Sequence, residues 1–181
     1  PIAVMLDTKG PEYRIRTFKD GKIELKAGAP FTFTTDEVEG DQTIVSVSYK
    51  NLNKDLNVGD RILLNNGLME FVVKEIKGNN IITEVTVGGV LSDRKSMSFP
   101  NKVLKQKYLS EQDKQDILFG IKNEVAYIAC SFVSQKQDLL DVKQFLKEND
   151  GEDIDLIAKI ENQAGVDNIE EICEACEGIM I

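Results

Sequence analysis

The stretch Ile154-Asp155-Leu156-Ile157-Ala158-Lys159-Ile160-Glu161-Asn162-Gln163 decides the fold. Residues 154–160 form an apolar run broken by Asp155 and Lys159 and read as a strand of a parallel sheet. The run ends in a lysine, a carboxylate and an amide. Residues two apart on a strand share a face, so Lys159 and Glu161 project side by side from its carboxyl end.

The same grammar repeats outward from this strand. Residues 125–133 form a second apolar run, with Ser131 near its end. Ser110-Glu111-Gln112-Asp113 resembles a capping box and predicts a helix start. Ile117, Leu118 and Ile121 give that helix an apolar stripe. Leu139, Val142, Phe145 and Leu146 mark one side of a second helix, and Val166, Ile169, Ile172 and Cys176 mark a third. Residues 178–181 open a further strand. Helices alternating with strands predict a parallel sheet with right-handed crossovers. At the other end, residues 2–6 form another continuous run, expected to be buried on both faces. Asp7-Thr8-Lys9-Gly10-Pro11 stops it.

Residues 12–103 follow a different rule and read as β throughout. Short runs at 31–34, 43–49, 61–64, 69–76 and 81–87 are separated by Lys19-Asp20-Gly21, Asn65-Asn66-Gly67 and Lys77-Gly78-Asn79-Asn80. Asn-Gly marks a hairpin because both residues tolerate positive φ. Five or more short strands without helical period predict a small barrel or sandwich. The expected organisation is therefore a strand at 1–11, an inserted β domain at 12–103 and βα units at 104–181. Both termini fall inside apolar runs, so the expectation is a fragment of a longer protein.

The totals narrow the function. The chain has 181 residues, net charge −9 and 41% hydrophobic residues, enough for a packed core. That charge argues against general nucleic-acid binding, and no run is long enough to cross a bilayer as a helix. Cys130, Cys173 and Cys176 form a sparse, odd set that suggests a reducing compartment. Cys173 and Cys176 have Cys-x-x-Cys spacing but no second pair and no histidine, so they read as ordinary helix cysteines. With no histidine at all, acid and base chemistry falls to lysine, carboxylates, hydroxyls or water.

Two parallel architectures fit the second half. No glycine-rich phosphate loop follows a strand, which weighs against a doubly wound sheet. In a (β/α)₈ barrel the carboxyl ends of the strands share one rim. Asp7, Thr8 and Lys9, Ser131, and Lys159, Glu161 and Asn162 then converge there. Pattern alone leaves Lys159 and Glu161 open between a simple ion pair and a functional pair. In the functional reading Glu161 ligates a hard cation and Lys159 meets phosphoryl or enolate oxygens. Arg14 adds a planar fork suited to phosphate.

In this order, Leu6-Asp7-Thr8-Lys9-Gly10-Pro11-Glu12, Val58-Gly59-Asp60, Gly88-Gly89-Val90-Leu91, Leu109-Ser110-Glu111, Asp116-Ile117-Leu118-Phe119-Gly120, Ser131-Phe132-Val133, Ala158-Lys159-Ile160-Glu161-Asn162-Gln163 and Gly178-Ile179-Met180 resemble the pyruvate kinase family along essentially the whole chain. The resemblance implies a partial (β/α)₈ TIM barrel with an all-β barrel lid inserted after barrel strand three. It implies a cytoplasmic glycolytic phosphotransferase that moves phosphate from phosphoenolpyruvate to ADP, giving pyruvate and ATP. Lys159 matches the lysine that stabilises the transition state, and Glu161 matches a ligand of Mg²⁺ or Mn²⁺. Asp7 and Thr8 match ligands of K⁺, and Glu12 matches the acidic position associated with K⁺ dependence. Arg14 and Lys95 match nucleotide contacts; Ser131 and Phe132 match positions beside the substrate. The full-length family member is implied to be a homotetramer.

Departures from the family pattern are Asn65-Asn66-Gly67 in place of Asp-Asp-Gly, Tyr13 in place of an aliphatic residue, and Ser96 in place of glycine. The second metal carboxylate is expected after Met180, and early substrate positions before residue 1, so this chain alone is expected to be inactive. Two rival readings remain: a metal-dependent barrel lyase or aldolase with Lys159 as Schiff-base lysine, and a non-catalytic paralogue.

Overall fold

Strand follows strand through the first hundred residues, and helix alternates with strand thereafter. The computed structural model describes residues 2–181. In chain order the first elements are β1 (Met5–Asp7), β2 (Lys22–Leu25), β3 (Pro30–Thr34), β4 (Ile44–Ser46), α1 (Leu52–Asp55), β5 (Arg61–Leu64), β6 (Met69–Lys77), β7 (Asn80–Val87), β8 (Gly89–Ser92) and β9 (Met97–Ser98). There follow α2 (Glu111–Lys122), β10 (Tyr127–Cys130), α3 (Lys136–Lys147), β11 (Asp155–Lys159), α4 (Gln163–Asp167), α5 (Ile169–Cys173) and β12 (Gly178–Met180). Contacts divide the chain into two units, the described residues through Pro11 together with Gln106–Ile181, and Glu12–Lys105.

The first unit is a mixed α/β fold on a four-stranded sheet, order β1-β10-β11-β12, with every neighbouring pair parallel. Ile128 and Cys130 on β10 and Leu156 and Ala158 on β11 pack with Ile117 of α2, Leu139, Val142 and Leu146 of α3 and Ile172 of α5. Strand side chains alternate faces, so Ala129, Ile157 and Lys159 turn to the face away from these helices. Ser110 begins α2 by accepting the Asp113 N–H at 3.0 Å, the cap its sequence predicts. Gln135 and Asp138 close a capping box on α3.

The second unit holds a six-stranded sheet, order β4-β3-β7-β6-β5-β9, and the antiparallel pair β2-β8. Its pairs are antiparallel except β3 with β4. Phe31, Phe33 and Phe71 are fully buried at its centre, with Phe33 and Phe71 edge-to-face at 5.1 Å. Asn65, Asn66 and Gly67 all have positive φ in the β5–β6 turn, as the Asn-Gly signal predicts. A Cβ on Gly88 would come within 2.4 Å of the Leu25 carbonyl oxygen, so Gly88-Gly89 serves a tight approach of β8 to β2.

Several sequence expectations are corrected. The strand expected at 2–6 is the shorter β1, and it is not covered on both faces. Ile2, Val4 and Met5 are 96%, 60% and 46% exposed, and among the described residues β1 pairs only with β10. The β region contains one helical turn, α1, made because Leu52 and Leu56, four residues apart, both enter the core. A single turn is too short to leave a periodic trace. The expected third helix is split into α4 and α5 at Asn168, whose side-chain amide donates to the Ser134 carbonyl at 2.9 Å. Val166 is therefore exposed, and Cys176 lies beyond α5 rather than within it. Leu104 and Lys105 go with the β unit: Leu104 packs on its core, and the Lys105 N–H donates to Asp55 at 2.8 Å.

Two outcomes are expected. Phe71→Ala lowers the unfolding free energy by about 3–5 kcal/mol, measured by urea denaturation; a loss under about 1 kcal/mol contradicts the packing described. Burial pushes the Cys130 thiol up to about 12, while Cys173 is exposed. A thiol reagent at neutral pH therefore labels Cys173 in the native protein and reaches Cys130 only in denaturant, as read by peptide mass mapping.

Candidate active site

The parallel register builds the site. Asp7 pairs with Ala129, Ala129 with Ile157, and Cys130 with Ala158. One residue further on, Ser131 stands opposite Lys159. With two-residue alternation, the ends of three strands place Asp7, Ser131 and Lys159 together. Lys159 Nζ donates to Ser131 Oγ at 2.9 Å and to Asp7 Oδ1 at 3.1 Å. Ser131 Oγ in turn donates to Asp7 Oδ1 at 3.2 Å. Glu161 Oε1 lies 3.5 Å from Lys159 Nζ. The ammonium and the carboxylate two residues along thus face one another, beside the Asp7 loop.

The surroundings fix these groups at different depths. The Lys159 side chain is 15% exposed, Glu161 32% and Asp7 60%. Burial acts to lower the Lys159 pKa, but the hydrogen bond to Asp7 and the charges of Glu161 and Asp7 outweigh it, so the net shift is upward.

Thr8 is buried, and its hydroxyl joins two strand ends. It donates to the Ala129 carbonyl at 3.2 Å and accepts the Ser131 N–H at 3.2 Å. Phe132 adopts φ +56°, a left-handed conformation rare outside glycine and asparagine. That conformation aims its N–H at Glu161 Oε2, 2.9 Å away. Asn162 braces the same turn: its Nδ2 donates to the Phe132 carbonyl at 3.3 Å, and its Oδ1 accepts the Gly165 N–H at 2.8 Å to cap α4.

Asp7 and Glu161 carry two negative charges against the one positive charge of Lys159, and their oxygens are hard donors. The set suits an added cation. Among the described residues no group of three or more His, Cys, Asp or Glu is placed to hold a metal. Glu161 and Asp7 each offer carboxylate oxygens of the kind that a hard cation takes together with ligand and water oxygens.

Two expected residues lie in the second unit. Arg14 pairs with Glu12 and donates from Nη1 to the Arg94 carbonyl at 2.6 Å. The Glu12 hydrogen bond raises the Arg14 pKa against a small burial penalty. Arg14 also bridges to Ser96, next to Lys95, whose carbonyl accepts the Ile15 N–H at 3.0 Å. Sequence reasoning passed over Tyr108 and read Asp113 only as part of a helix cap. Both bond to the backbone behind the rim, a role no side-chain motif announces.

Parallel strands with a charged cluster at their carboxyl ends define an α/β protein of the strand-end-site class. The profile of the family described as "Pyruvate kinase, barrel domain" matches residues 1–181. Proteins named pyruvate kinase are 45% identical to it in Clostridium perfringens, 42% in Clostridium acetobutylicum and 41% in Geobacillus stearothermophilus, over 99%, 100% and 99% of this chain. The chain belongs to the pyruvate kinase family. It spans 38% of the length of each clostridial relative and 31% of the Geobacillus one.

Gly10 ties the loop after β1 to the site. It has φ +69°, and a Cβ there would stand 2.5 Å from the Ser131 carbonyl oxygen. Gly10→Ala is expected to destabilise the protein by on the order of 1–3 kcal/mol, read as a lower urea midpoint; an unchanged midpoint means the close approach is not a constraint.

Proposed function

We propose that the protein carrying this chain transfers the phosphoryl group of phosphoenolpyruvate to ADP, giving pyruvate and ATP. The observation that carries the reading is Lys159 held between Asp7, Ser131 and Glu161 at the strand ends, within a chain of the pyruvate kinase family. The bond between phosphorus and the enol oxygen breaks, and a bond from phosphorus to a β-phosphate oxygen of ADP forms. The enolate left behind takes a proton and becomes pyruvate.

Negative charge grows on the transferred group and the departing enolate, so clustered positive charge is what the step needs. Lys159 supplies a fixed ammonium there, preorganised by its oxygen partners. Glu161 holds Mg²⁺ or Mn²⁺, and Asp7 with Thr8 holds K⁺; the divalent ion, when bound, neutralises charge on the phosphoryl oxygens. Ser131 and Phe132 border the substrate, and Arg14 and Lys95 contact the nucleotide phosphates. Residues 12–103 form the β-barrel lid on a (β/α)₈ barrel, to which 1–11 and 104–181 contribute, and closure excludes water that would compete for the phosphoryl group. The whole protein works in the cytoplasm, in glycolysis, as a homotetramer. Among the described residues no helix is long and apolar enough to cross a membrane.

The test is coupled pyruvate formation by the full-length protein. Lys159→Met is expected to lower kcat by about 10²–10³ or more while the circular dichroism spectrum is unchanged. Near-normal turnover in that variant, or capture of Lys159 by borohydride with a carbonyl substrate, overturns the reading.

A further inference from the structure

Two buried polar side chains grip the site from behind, and neither reaches the rim. Tyr108 is 5% exposed, and its phenol donates to the Ser131 carbonyl at 2.7 Å. Asp113 is 2% exposed and sits in the first turn of α2. Its Oδ1 accepts the Gly10 N–H at 3.2 Å, and its Oδ2 accepts the Ser110 hydroxyl at 2.8 Å. The cap that α2 needs comes from Ser110 Oγ, which accepts the Asp113 N–H. The buried Asp113 carboxylate is therefore not required for that cap. A carboxylate in this position carries a desolvation cost, and the bond that gives it purpose crosses to the loop after β1.

The two grips meet at one residue. Gly10 lies against the Ser131 carbonyl, closely enough that a Cβ would fall 2.5 Å from its oxygen. Ser131 is then held at three points: its carbonyl by Tyr108, its N–H by Thr8, and its Oγ between Lys159 and Asp7. With the backbone fixed, Ser131 Oγ has little freedom to leave the ammonium. With Gly10 fixed, the chain just past Asp7 cannot drift from β10.

We propose that Tyr108 and Asp113 are positioning residues that hold Ser131 and the Asp7–Gly10 loop in register with Lys159. The inference rests on the phosphoryl-transfer reading and assigns that site two residues that do not touch substrate. A displacement of about 1 Å in such a constellation can cost about 10²-fold in rate, so the effect belongs in kcat rather than in KM.

The experiment compares four variants of the full-length protein by steady-state kinetics, thermal unfolding and amide hydrogen exchange. Tyr108→Phe keeps the ring and removes only the hydroxyl; its kcat is expected to fall about tenfold with KM for phosphoenolpyruvate within about twofold. Asp113→Leu is expected to lower kcat by about 10–100-fold and to speed exchange in peptides covering Gly10. Asp113→Asn keeps an oxygen acceptor for the Gly10 N–H and is expected to restore both. Ser110→Ala removes the helix cap and the hydroxyl that donates to Asp113 Oδ2 but keeps the Asp113 Oδ1 bond to the Gly10 N–H; it is expected to lower the melting temperature while leaving kcat and Gly10 exchange near wild type. If Ser110→Ala and Asp113→Leu lose kcat equally at matched stability, or if Tyr108→Phe has wild-type kcat, the inference is overturned. Should Asp113→Leu fail to fold, Tyr108→Phe decides the outcome alone. A wild-type protein that makes no pyruvate instead overturns the phosphoryl-transfer reading, a result separable from any difference among variants.

Discussion

Parallel register between β1, β10 and β11 is the constraint from which the site follows. Side chains alternate along a strand, so a slip of one residue would carry Lys159 to the helix-covered face and bring Ala158 to the rim. The register is held by what lies on that covered face. Ile128, Cys130, Leu156 and Ala158 are fully buried, and a one-residue slip would place Lys159 and Asp155 among them. Burying an unpaired charge costs far more than a few lost methylene contacts. The core thus selects the pairing that gathers polar residues, although no core residue touches them. The Thr8 hydroxyl adds a local tie, bonding the backbone on both sides of Cys130.

The electrostatics of the rim complement this geometry. One ammonium among two carboxylates is a stable arrangement that still lacks positive charge. The deficit favours recruiting a cation, and a cation so placed makes the rim hospitable to a polyanionic ligand. An incoming anion then competes with Asp7, the most exposed of the three charged partners, for the lysine donors. The absence of histidine is no handicap for such a site. In the proposed phosphoryl transfer the need is to meet charge that spreads over oxygens, which a lysine can do without cycling its own proton.

How much of this could be read beforehand depended on how locally each feature is encoded. The strand β10 announced itself because burial leaves an apolar run, β11 because Leu156, Ile157 and Ala158 stand between polar ends, and the β5–β6 turn because Asn-Gly is a backbone requirement written in residue type. Lys159 and Glu161 were readable as a pair for the same reason, since their spacing is a strand property. Other features depend on distant partners. The single turn α1 exists because two leucines found a core, and the break at Asn168 because its amide found the Ser134 carbonyl. Tyr108 belongs to this group: its value lies in a carbonyl 23 residues away, and nothing in its own neighbourhood marks it.

Phe132 brings these strands of argument together. Its left-handed backbone carries a conformational cost that glycine would avoid, and the bulky ring gives no local relief. The conformation persists because both ends of the residue are engaged, the N–H by Glu161 and the carbonyl by Asn162. Those partners come from the loop after β11, so the strain at one strand end is sustained by the next. In return, the turn directs a backbone donor at the Glu161 carboxylate, leaving Oε1 toward Lys159. A relaxed turn at this position would free that carboxylate to rotate. The strained backbone and the charged cluster are therefore one device: the cost of the first is offset by the order it gives the second.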